Sequence, residues 1–551
     1  FKREAYVAAS EEMANKTENL FRSMLRAQRR GIYTANTTFY SASHIEHVRP
    51  MFEVAWMPVL AGLSAPLQDT EDLETANFAI EGFKLAIRIV CLFDMELERN
   101  AFVTTLSKFT FLNNLGEMKP KNVEAIKTLL GIALVEGNNL KGSWREVLTC
   151  VSQLERFQLI STGVDQTTVP DLFSARKQPR KQSVDERSRR TSLSKRLSKP
   201  SPNVIYAEDV ALESRSSQVV VAADKIFSTS PKLSGTAIVD FVRALSDVSW
   251  EEIQSSSMTE HPRIFSLQKL VEISYYNMNR IRMEWSKMWQ ILGEHFKQVG
   301  CHPNVNVGFF AIDSLRQLSM QFLDKEELPY FQFQKDFLKP FAYILANNPN
   351  IAIKDMILRC MQQMVQARSQ NLKSGWKTMF GVYAAAAREA NESIVLMAFD
   401  LVKGLFNNHF EAVVSNSTYP DLMVCLCEFC KNNHYQKISL QAIELISQSL
   451  LKMLEYPKYH ITATVLSADG ISTEGKFITN DDPSFKFWYP VLFGFHDVLM
   501  NSDDLEVRTR ALNYLFDTLK KYGLRYSEEF WDVICRQVLF PIFGVLKSKS
   551  D

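Results

Sequence analysis

Two consecutive segments near the start of the chain carry apolar residues at helical spacing, and each needs a neighbouring surface to cover them. The first, residues 43–68, has an apolar stripe that Trp56 widens, and the second, residues 75–94, has a denser one. Because neither segment can bury its apolar face alone, the pattern predicts a helical hairpin. The residues expected to face inward are Val54, Met57, Leu60, Ala61 and Leu67 in the first helix and Phe78, Ile80, Phe83, Ala86, Ile87, Val90 and Leu92 in the second.

The same two-helix pattern returns along the rest of the chain. Trp289 and Trp488 each lie in a segment like the one at Trp56, with an aromatic residue followed by aliphatic and small ones. Candidate second helices are separated by roughly 40 to 70 residues, near or above the usual period of helical repeats. Hairpins of this kind bury their apolar faces by stacking on one another. The sequence therefore predicts an all-α fold, an elongated α-solenoid of HEAT- or armadillo-like helical hairpins with a disordered basic linker.

Composition and charge narrow the classes of function. The chain has 551 residues, 46% of them hydrophobic, and can bury several cores. Its net charge of +1 argues against a uniformly basic nucleic-acid binder. No run approaches the roughly 20 apolar residues of a membrane span, and the first residues lack the apolar core of a signal peptide. Eight dispersed cysteines are typical of buried, reduced thiols, so we expect a cytosolic or peripherally membrane-associated protein.

Residues 162–217 break the helical pattern with serine, proline and charge. Within residues 176–199, ten Lys and Arg minus two acidic residues give a local net charge of +8. A solvated, disordered linker is the simpler interpretation. The alternative is a regulatory tether, because Ser183, Ser192 and Ser198 each follow a basic residue by two or three positions. Phosphate at these candidate phosphorylation sites would cancel charge that favours anionic lipid.

Residues 2–30 are predicted to form one long helix that ends in a basic cluster. The cluster lies beside Phe21, Met24 and Leu25, which fits contact with an anionic membrane surface. The simpler interpretation is a connecting helix whose last turns carry cations that suit the helix dipole. The candidate membrane-contact residues are Arg22, Arg26, Arg29 and Arg30.

The sequence carries none of the common catalytic motifs. There is no GxxxxGK[ST] phosphate loop, GxGxxG turn, GxSxG elbow or HExxH helix. Four residues with metal-ligating side chains do lie close together in the chain, at Cys425, Cys427, Cys430 and His434. In a helix Cys425 points away from the other three, so buried core thiols are favoured over a zinc site. We therefore predict no catalytic residue, no cofactor and no metal.

Two further pairs have both a structural and a functional interpretation. His44 and His47 could bracket a ligand, but Pro50 behind them is typical of the first turn of a helix. Trp285 and Trp289 lie one helical turn apart, which favours a ridge packed between repeats over a hot spot for a partner. In both pairs the structural interpretation is favoured.

Long stretches of the chain resemble one protein family, in order. The segments HVRPMFEVAW and EGFKLAIRIVCLFDMELERNAFV begin at His47 and Glu81. They are similar to the first homology region downstream of the catalytic domain in large Arf guanine-nucleotide exchange factors of the trans-Golgi class, the fungal Sec-seven or BIG class. The segments that resemble the second and third such regions begin at Phe241, Pro262, Ile351 and Asp421.

The resemblance implies a division of the chain into regions. It covers no catalytic exchange domain, so no catalytic residue of the family has a counterpart here. An inserted loop with a short β-hairpin is expected inside the last region, and we assign it no function. The predicted boundaries are 1–30 for a linker helix from the catalytic domain, 31–161 for the first region, 162–217 for the basic linker, 218–410 for the second region and 411–551 for the third, with the loop at 456–483.

The resemblance also implies that this chain has a regulatory function and is not itself catalytic. It implies that the chain controls the membrane recruitment, autoinhibition and positive feedback of an exchange factor in vesicle traffic. The protein would be cytosolic and recruited peripherally to trans-Golgi network membranes. The implied partners are GTP-bound Arf, the catalytic domain and N-terminal regions in cis, anionic Golgi membrane and a second copy of the chain, with no nucleic acid. The candidate partner-binding residues in the first region are His47, Arg49, Trp56, Lys84 and Arg88.

Three other functions stay open at the level of sequence. A helical array without catalytic motifs is also typical of cargo-carrying solenoids of the nuclear-transport type. The basic segments at residues 22–30 and 176–199 are consistent with a lipid-binding scaffold that senses no GTPase. An enzyme hidden in the insertions is the least favoured, because no convergent set of polar groups is visible in the sequence.

Overall fold

The computed structural model describes residues 44–161, 216–455 and 483–548, except 115–116, 258, 260 and 329, with further single positions between 12 and 26 and between 164 and 172. The chain forms two compact units, Phe1–His295 and Phe296–Asp551. In the described residues the regular structure is helical, and the only β pairing is one isolated bridge between Leu328 and Phe331. The predicted all-α fold is confirmed.

The first unit is built from helical hairpins whose members alternate between two layers. Among its described residues, the helices in chain order are α1 (Val48–Asp69), α2 (Leu73–Leu92), α3 (Glu96–Lys108), α4 (Pro120–Glu136), α5 (Trp144–Ser161), α6 (Ser217–Ser228), α7 (Ala237–Ser255) and α8 (Phe265–Tyr276). The odd-numbered helices contact one another in succession and form one layer, and the even-numbered helices form the other. Each layer covers the apolar face of the other, as the repeated two-helix pattern predicts.

The predicted hairpin at the start of this unit is formed by α1 and α2. Asp72 caps α2, because its carboxylate accepts a hydrogen bond from the Thr75 backbone N–H at 2.9 Å. Gly82 of α2 lies so close to the Leu63 side chain of α1 that an added Cβ would overlap it. The predicted inward residues that are buried are Leu60, Ala61, Leu67, Ile80, Phe83, Ala86, Ile87 and Val90.

Three residues that were predicted to face inward are exposed instead. Val54 and Phe78 are each 82% exposed, and Leu92 is 67% exposed. Both helices carry apolar residues on more than one face, and packing buries only the stripe that meets neighbouring helices. In α2 that stripe runs through Ile80 and Phe83, and Phe78 lies on the opposite side of the helix. The prediction for these three residues is therefore wrong.

The second unit also has two layers of helices. After α9 (Arg282–Gly300), which begins in the first unit, its described helices are α10 (Val305–Phe322), α11 (Gln334–Phe337), α12 (Lys339–Asn347), α13 (Ile351–Arg368), α14 (Gly375–Ala387), α15 (Glu392–Asn408), α16 (Phe410–Ser415), α17 (Tyr419–Cys430), α18 (Gln436–Glu455), α19 (Pro483–Asn501), α20 (Leu505–Tyr522), α21 (Glu528–Ile534) and α22 (Phe540–Ser548). Helices α12, α14, α17 and α19 follow one another in one layer. Helices α10, α13 and α15, and then α18 and α20, follow one another in the second.

Local chemistry explains three features of the helices in the two units. Asp504 caps α20 and accepts a hydrogen bond from the Val507 N–H at 2.9 Å. Trp285 and Trp289 are both buried, with ring centroids 6.3 Å apart, so they form a packed ridge. Pro50 lies in the first turn of α1, as the pattern at the start of this helix predicts.

The two breaks in the helical pattern lie largely outside the described residues. This applies to the basic segment 176–199 and to residues 456–482 of the inserted loop. The loop was predicted to end at Pro483, where α19 begins, and the linker at Ser217, where α6 begins. No described helix combines the length and apolar character that crossing a bilayer requires.

Candidate protein-docking surface

The side of α2 that faces away from its neighbouring helices carries an exposed apolar stripe. Phe78, Leu85 and Leu92 are 82%, 52% and 67% exposed. They are spaced seven residues apart, so they drift by only about 20° per step around the helix. The stripe from Phe78 to Leu92 is about 21 Å long at 1.5 Å per residue. Large exposed apolar side chains aligned in this way are typical of a protein-docking surface.

Charged residues continue the same line on the helix. Glu81 and Arg88 fall between the apolar residues, so positions 78, 81, 85, 88 and 92 follow alternating three- and four-residue steps. Lys84 pairs with Glu81 at 3.1 Å, and Arg88 lies 3.9 Å from Glu136 of α4. All three α2 side chains remain more than half exposed. We call the surface formed by Phe78, Glu81, Lys84, Leu85, Arg88 and Leu92 the α2 surface.

The structure places the predicted partner-binding residues in three different locations. Lys84 and Arg88 lie on the α2 surface. His47 and Arg49 lie at the start of α1, where the His47 ring is 5.6 Å from that of His44 and Arg49 pairs with Glu53 at 3.0 Å. Trp56 is only 4% exposed, so its indole is part of the core of the hairpin.

The other candidate residues are only partly described. Arg22 and Arg26 are helical and exposed. Arg29 and Arg30 lie outside the described residues, as do Ser183, Ser192 and Ser198. The membrane-contact and phosphorylation sites therefore stay predictions.

Sequence reasoning missed the apolar half of the α2 surface. The helix is apolar almost all round, and that pattern alone does not separate a buried stripe from an exposed one. One signal was available in the sequence, because Phe78, Leu85 and Leu92 repeat at an interval of seven residues. A second apolar seam beside the core stripe of the same helix indicates a second partner surface.

The cysteine cluster in α17 belongs to the core. Cys425, Cys427 and Cys430 are buried, and burial raises the pKa of each thiol above its usual range. His434 beyond the helix is exposed. The described part of the chain contains no group of three or more residues suited to hold a metal ion.

Comparison with known proteins gives the family. A family model described as Mon2/Sec7/BIG1-like HDS matches residues 321–404. The ADP-ribosylation factor guanine nucleotide-exchange factor sec72 of Schizosaccharomyces pombe is 44% identical over 100% of this chain and 30% of its own length. Over its whole length, this chain is homologous to one segment of the Sec7/BIG class of Arf guanine-nucleotide exchange factors. The resemblance seen in the sequence, to the region downstream of the catalytic domain, is confirmed.

Two other relatives also align with nearly the whole of this chain. The exchange factor SEC7 of Saccharomyces cerevisiae is 43% identical over 99% of this chain and 27% of its own length. The Brefeldin A-inhibited guanine nucleotide-exchange protein 1 of Homo sapiens is 41% identical over 98% of this chain and 29% of its own length. The chain therefore spans less than a third of the length of each of these relatives.

Proposed function

We propose that this chain is a non-catalytic regulatory region of an Arf guanine-nucleotide exchange factor and that its α2 surface docks GTP-bound Arf. The observation that carries the proposal is the exposed stripe Phe78, Leu85 and Leu92, bordered by Lys84 and Arg88. An apolar stripe with charged neighbours offers both burial and orientation to a partner protein. The relatives whose names refer to ADP-ribosylation factor exchange supply the class of partner.

Docking of this kind would give positive feedback in vesicle traffic at the trans-Golgi. The exchange reaction produces GTP-bound Arf on the membrane, and capture of that product would hold more exchange factor beside it. Relief of autoinhibition requires that GTP-bound Arf bind the active arrangement of the exchange factor more tightly than the inhibited one. A surface on a rigid helical layer is suited to such discrimination, because its shape does not adapt to a mismatched partner.

Membrane contact would strengthen the docking. Arg22 and Arg26 are exposed one helical turn apart, ahead of the first hairpin in the chain. Together with Arg29 and Arg30, they would attract anionic lipid, and phosphate on Ser183, Ser192 or Ser198 would weaken any attraction from the basic linker. In this proposal the protein is cytosolic and reaches the membrane peripherally, through lipid charge and Arf together.

The test is flotation of this chain with anionic liposomes that carry lipidated Arf loaded with either GTP or GDP. We expect more protein to float with the GTP form, at physiological salt, than with the GDP form or with bare liposomes. Equal flotation with both forms would refute GTPase sensing. Flotation without Arf that disappears at high salt would instead favour the lipid-binding scaffold, because surface charge attraction is screened.

A further inference from the structure

The outer side of α1 carries an apolar stripe that the proposed Arf docking does not use. Met51 and Val54 are 52% and 82% exposed, and Pro58, Gly62 and Ala65 are partly exposed. These five positions fall within about 80° of the helix circumference and extend for about 21 Å along the axis. In the described part of the chain, α1 packs on α2 and α3 with its opposite side. We call these five residues the α1 stripe.

The described positions between residues 12 and 26 form the polar side of a helix that precedes α1. All of them are helical and exposed, and they follow one another by one or three residues. They fall within about 120° of the helix circumference. Within this side the Lys16 ammonium pairs with the Glu12 carboxylate at 2.6 Å. The residues are Glu12, Asn15, Lys16, Asn19, Arg22, Ser23 and Arg26.

The sequence gives the same helix an apolar side opposite the polar one. By helical spacing, four apolar residues fall within about 60° of the direction opposite the exposed polar side, namely Met13, Phe21, Met24 and Leu25. From Met13 to Leu25 this side extends for about 18 Å, which is close to the length of the α1 stripe. A helix with one apolar side needs a surface that covers it.

We propose that the apolar side of this N-terminal helix packs on the α1 stripe. The 17 residues 27–43 reach up to about 56 Å when extended, so the helix can lie along the stripe in either direction. Gly62 and Ala65 have little or no side chain, which allows a second helix to approach α1 closely. Because both surfaces belong to one chain, their high effective concentration favours this pairing over a separate partner.

The positions of two arginines favour α1 over a membrane as the surface that covers the apolar side. Arg22 and Arg26 lie on the exposed polar side, about 120° and 160° around the helix from the centre of the apolar side. In a helix whose apolar side enters a membrane, cations that flank that side reach the lipid headgroups. With the apolar side on α1, both arginines point outward, as the proposed lipid contact requires. The pairing does not depend on Arf docking, which concerns the α2 surface.

The test is hydrogen exchange of the whole chain, measured by mass spectrometry without Arf or lipid. We expect the backbone amides of residues 12–26 to be protected, because a packed helix exchanges only when it opens. Val54→Glu puts a charge into the α1 stripe and should speed their exchange at least about tenfold. Because Val54 is 82% exposed, exchange in α2 should not change, which shows that the hairpin stays folded. The matched control is Val221→Glu on α6, an exposed apolar residue outside the stripe, which should leave residues 12–26 protected.

A second pair of variants tests the N-terminal helix itself. Phe21→Glu should speed exchange of residues 12–26 as Val54→Glu does, whereas Asn19→Glu adds the same charge on the exposed polar side and should not. Glutamate favours helix more than phenylalanine or asparagine does, so a loss of helix propensity would not explain faster exchange.

Four results would overturn the proposal. The first is the absence of protection at residues 12–26 in the unsubstituted chain, and the second is an equal effect of a control and its matched variant. Protection that appears only when anionic liposomes are added would assign the apolar side to a membrane. Protection that is lost when the chain is diluted would assign it to a second copy of the chain.

Discussion

The guanidinium of Arg263 lies 3.9 Å from the carboxylate of Glu252, and both side chains are buried. Arg263 also donates to the carbonyl and the hydroxyl of Ser152 on α5, at 2.7 and 3.1 Å. Glu252 on α7 accepts hydrogen bonds from the backbone N–H and hydroxyl of Ser266 on α8, at 2.9 and 2.7 Å. This buried polar cluster thus connects three helices of the first unit, α5, α7 and α8.

Arg263→Ala should destabilise the first unit by about 3–5 kcal/mol, because it leaves the buried Glu252 carboxylate without its cation and removes the 2.9 Å ion pair with Glu155. The control is Arg243→Ala, since Arg243 is exposed and lies 3.6 Å from Asp240, and it should cost less than about 1 kcal/mol. Urea unfolding followed by circular dichroism measures both. Equal shifts of the unfolding midpoint in the two variants would show that the buried cluster contributes no more than a surface ion pair.

His295 should make the stability of the first unit fall as the pH is lowered. Its imidazole is buried 2.9 Å from the Ser249 hydroxyl, and burial lowers its pKa from 6.5 to about 4. The unfolded chain therefore binds a proton more readily than the folded chain. The stability is fully present above pH 6.5 and is lost as the pH falls towards 4.

The expected loss from this histidine between pH 7 and pH 5 is about 2 kcal/mol. The matched variant is His295→Gln, which retains a hydrogen-bonding side chain beside Ser249 and does not titrate. The difference between the two proteins isolates His295, because every other titrating group is shared. Parallel pH profiles for the two proteins would contradict the prediction.

The sequence predicted the helices and many of the buried residues, but not the face that each helix exposes. The cap at Asp504 and the packing of Trp289 follow from local chemistry and helical period, which a single helix determines. The exposure of Val54, Phe78 and Leu92 depends on which neighbouring helices cover them, and helical spacing within one segment carries no information about that.

Two glycines in helices of the second unit should respond to alanine in opposite directions. Gly381 in α14 is exposed, and an added Cβ meets nothing within 4 Å. Gly381→Ala should stabilise by about 0.5–1 kcal/mol, because alanine restricts the unfolded chain and favours helix. Gly300, at the end of α9, lies against the fully buried side chain of Ile344.

Gly300→Ala should destabilise the second unit by about 1–3 kcal/mol, because Ile344 is branched and enclosed and cannot move aside cheaply. Its Cγ1 would lie 2.8 Å from the new methyl group. Thermal unfolding of both variants, compared with the unsubstituted chain, tests the pair. A rise in the melting temperature for Gly300→Ala would mean that α9 and α12 separate without cost.

Phe78→Ala and Leu85→Ala should each weaken the recruitment of this chain by GTP-bound Arf about five- to tenfold, as for central residues of a protein interface. Both side chains are exposed, so their removal should change the stability of the first unit by less than about 0.5 kcal/mol. Val221→Ala on α6 is the matched control, because Val221 is also an exposed apolar residue but lies outside the α2 surface.

Flotation with GTP-loaded, lipidated Arf measures recruitment, and circular dichroism confirms folding. If neither α2 substitution changes the GTP-dependent recruitment, the chain still senses Arf, but the α2 surface is not the docking site. An equal loss with Val221→Ala would point to general apolar adhesion, since a specific interface depends on where its apolar residues lie.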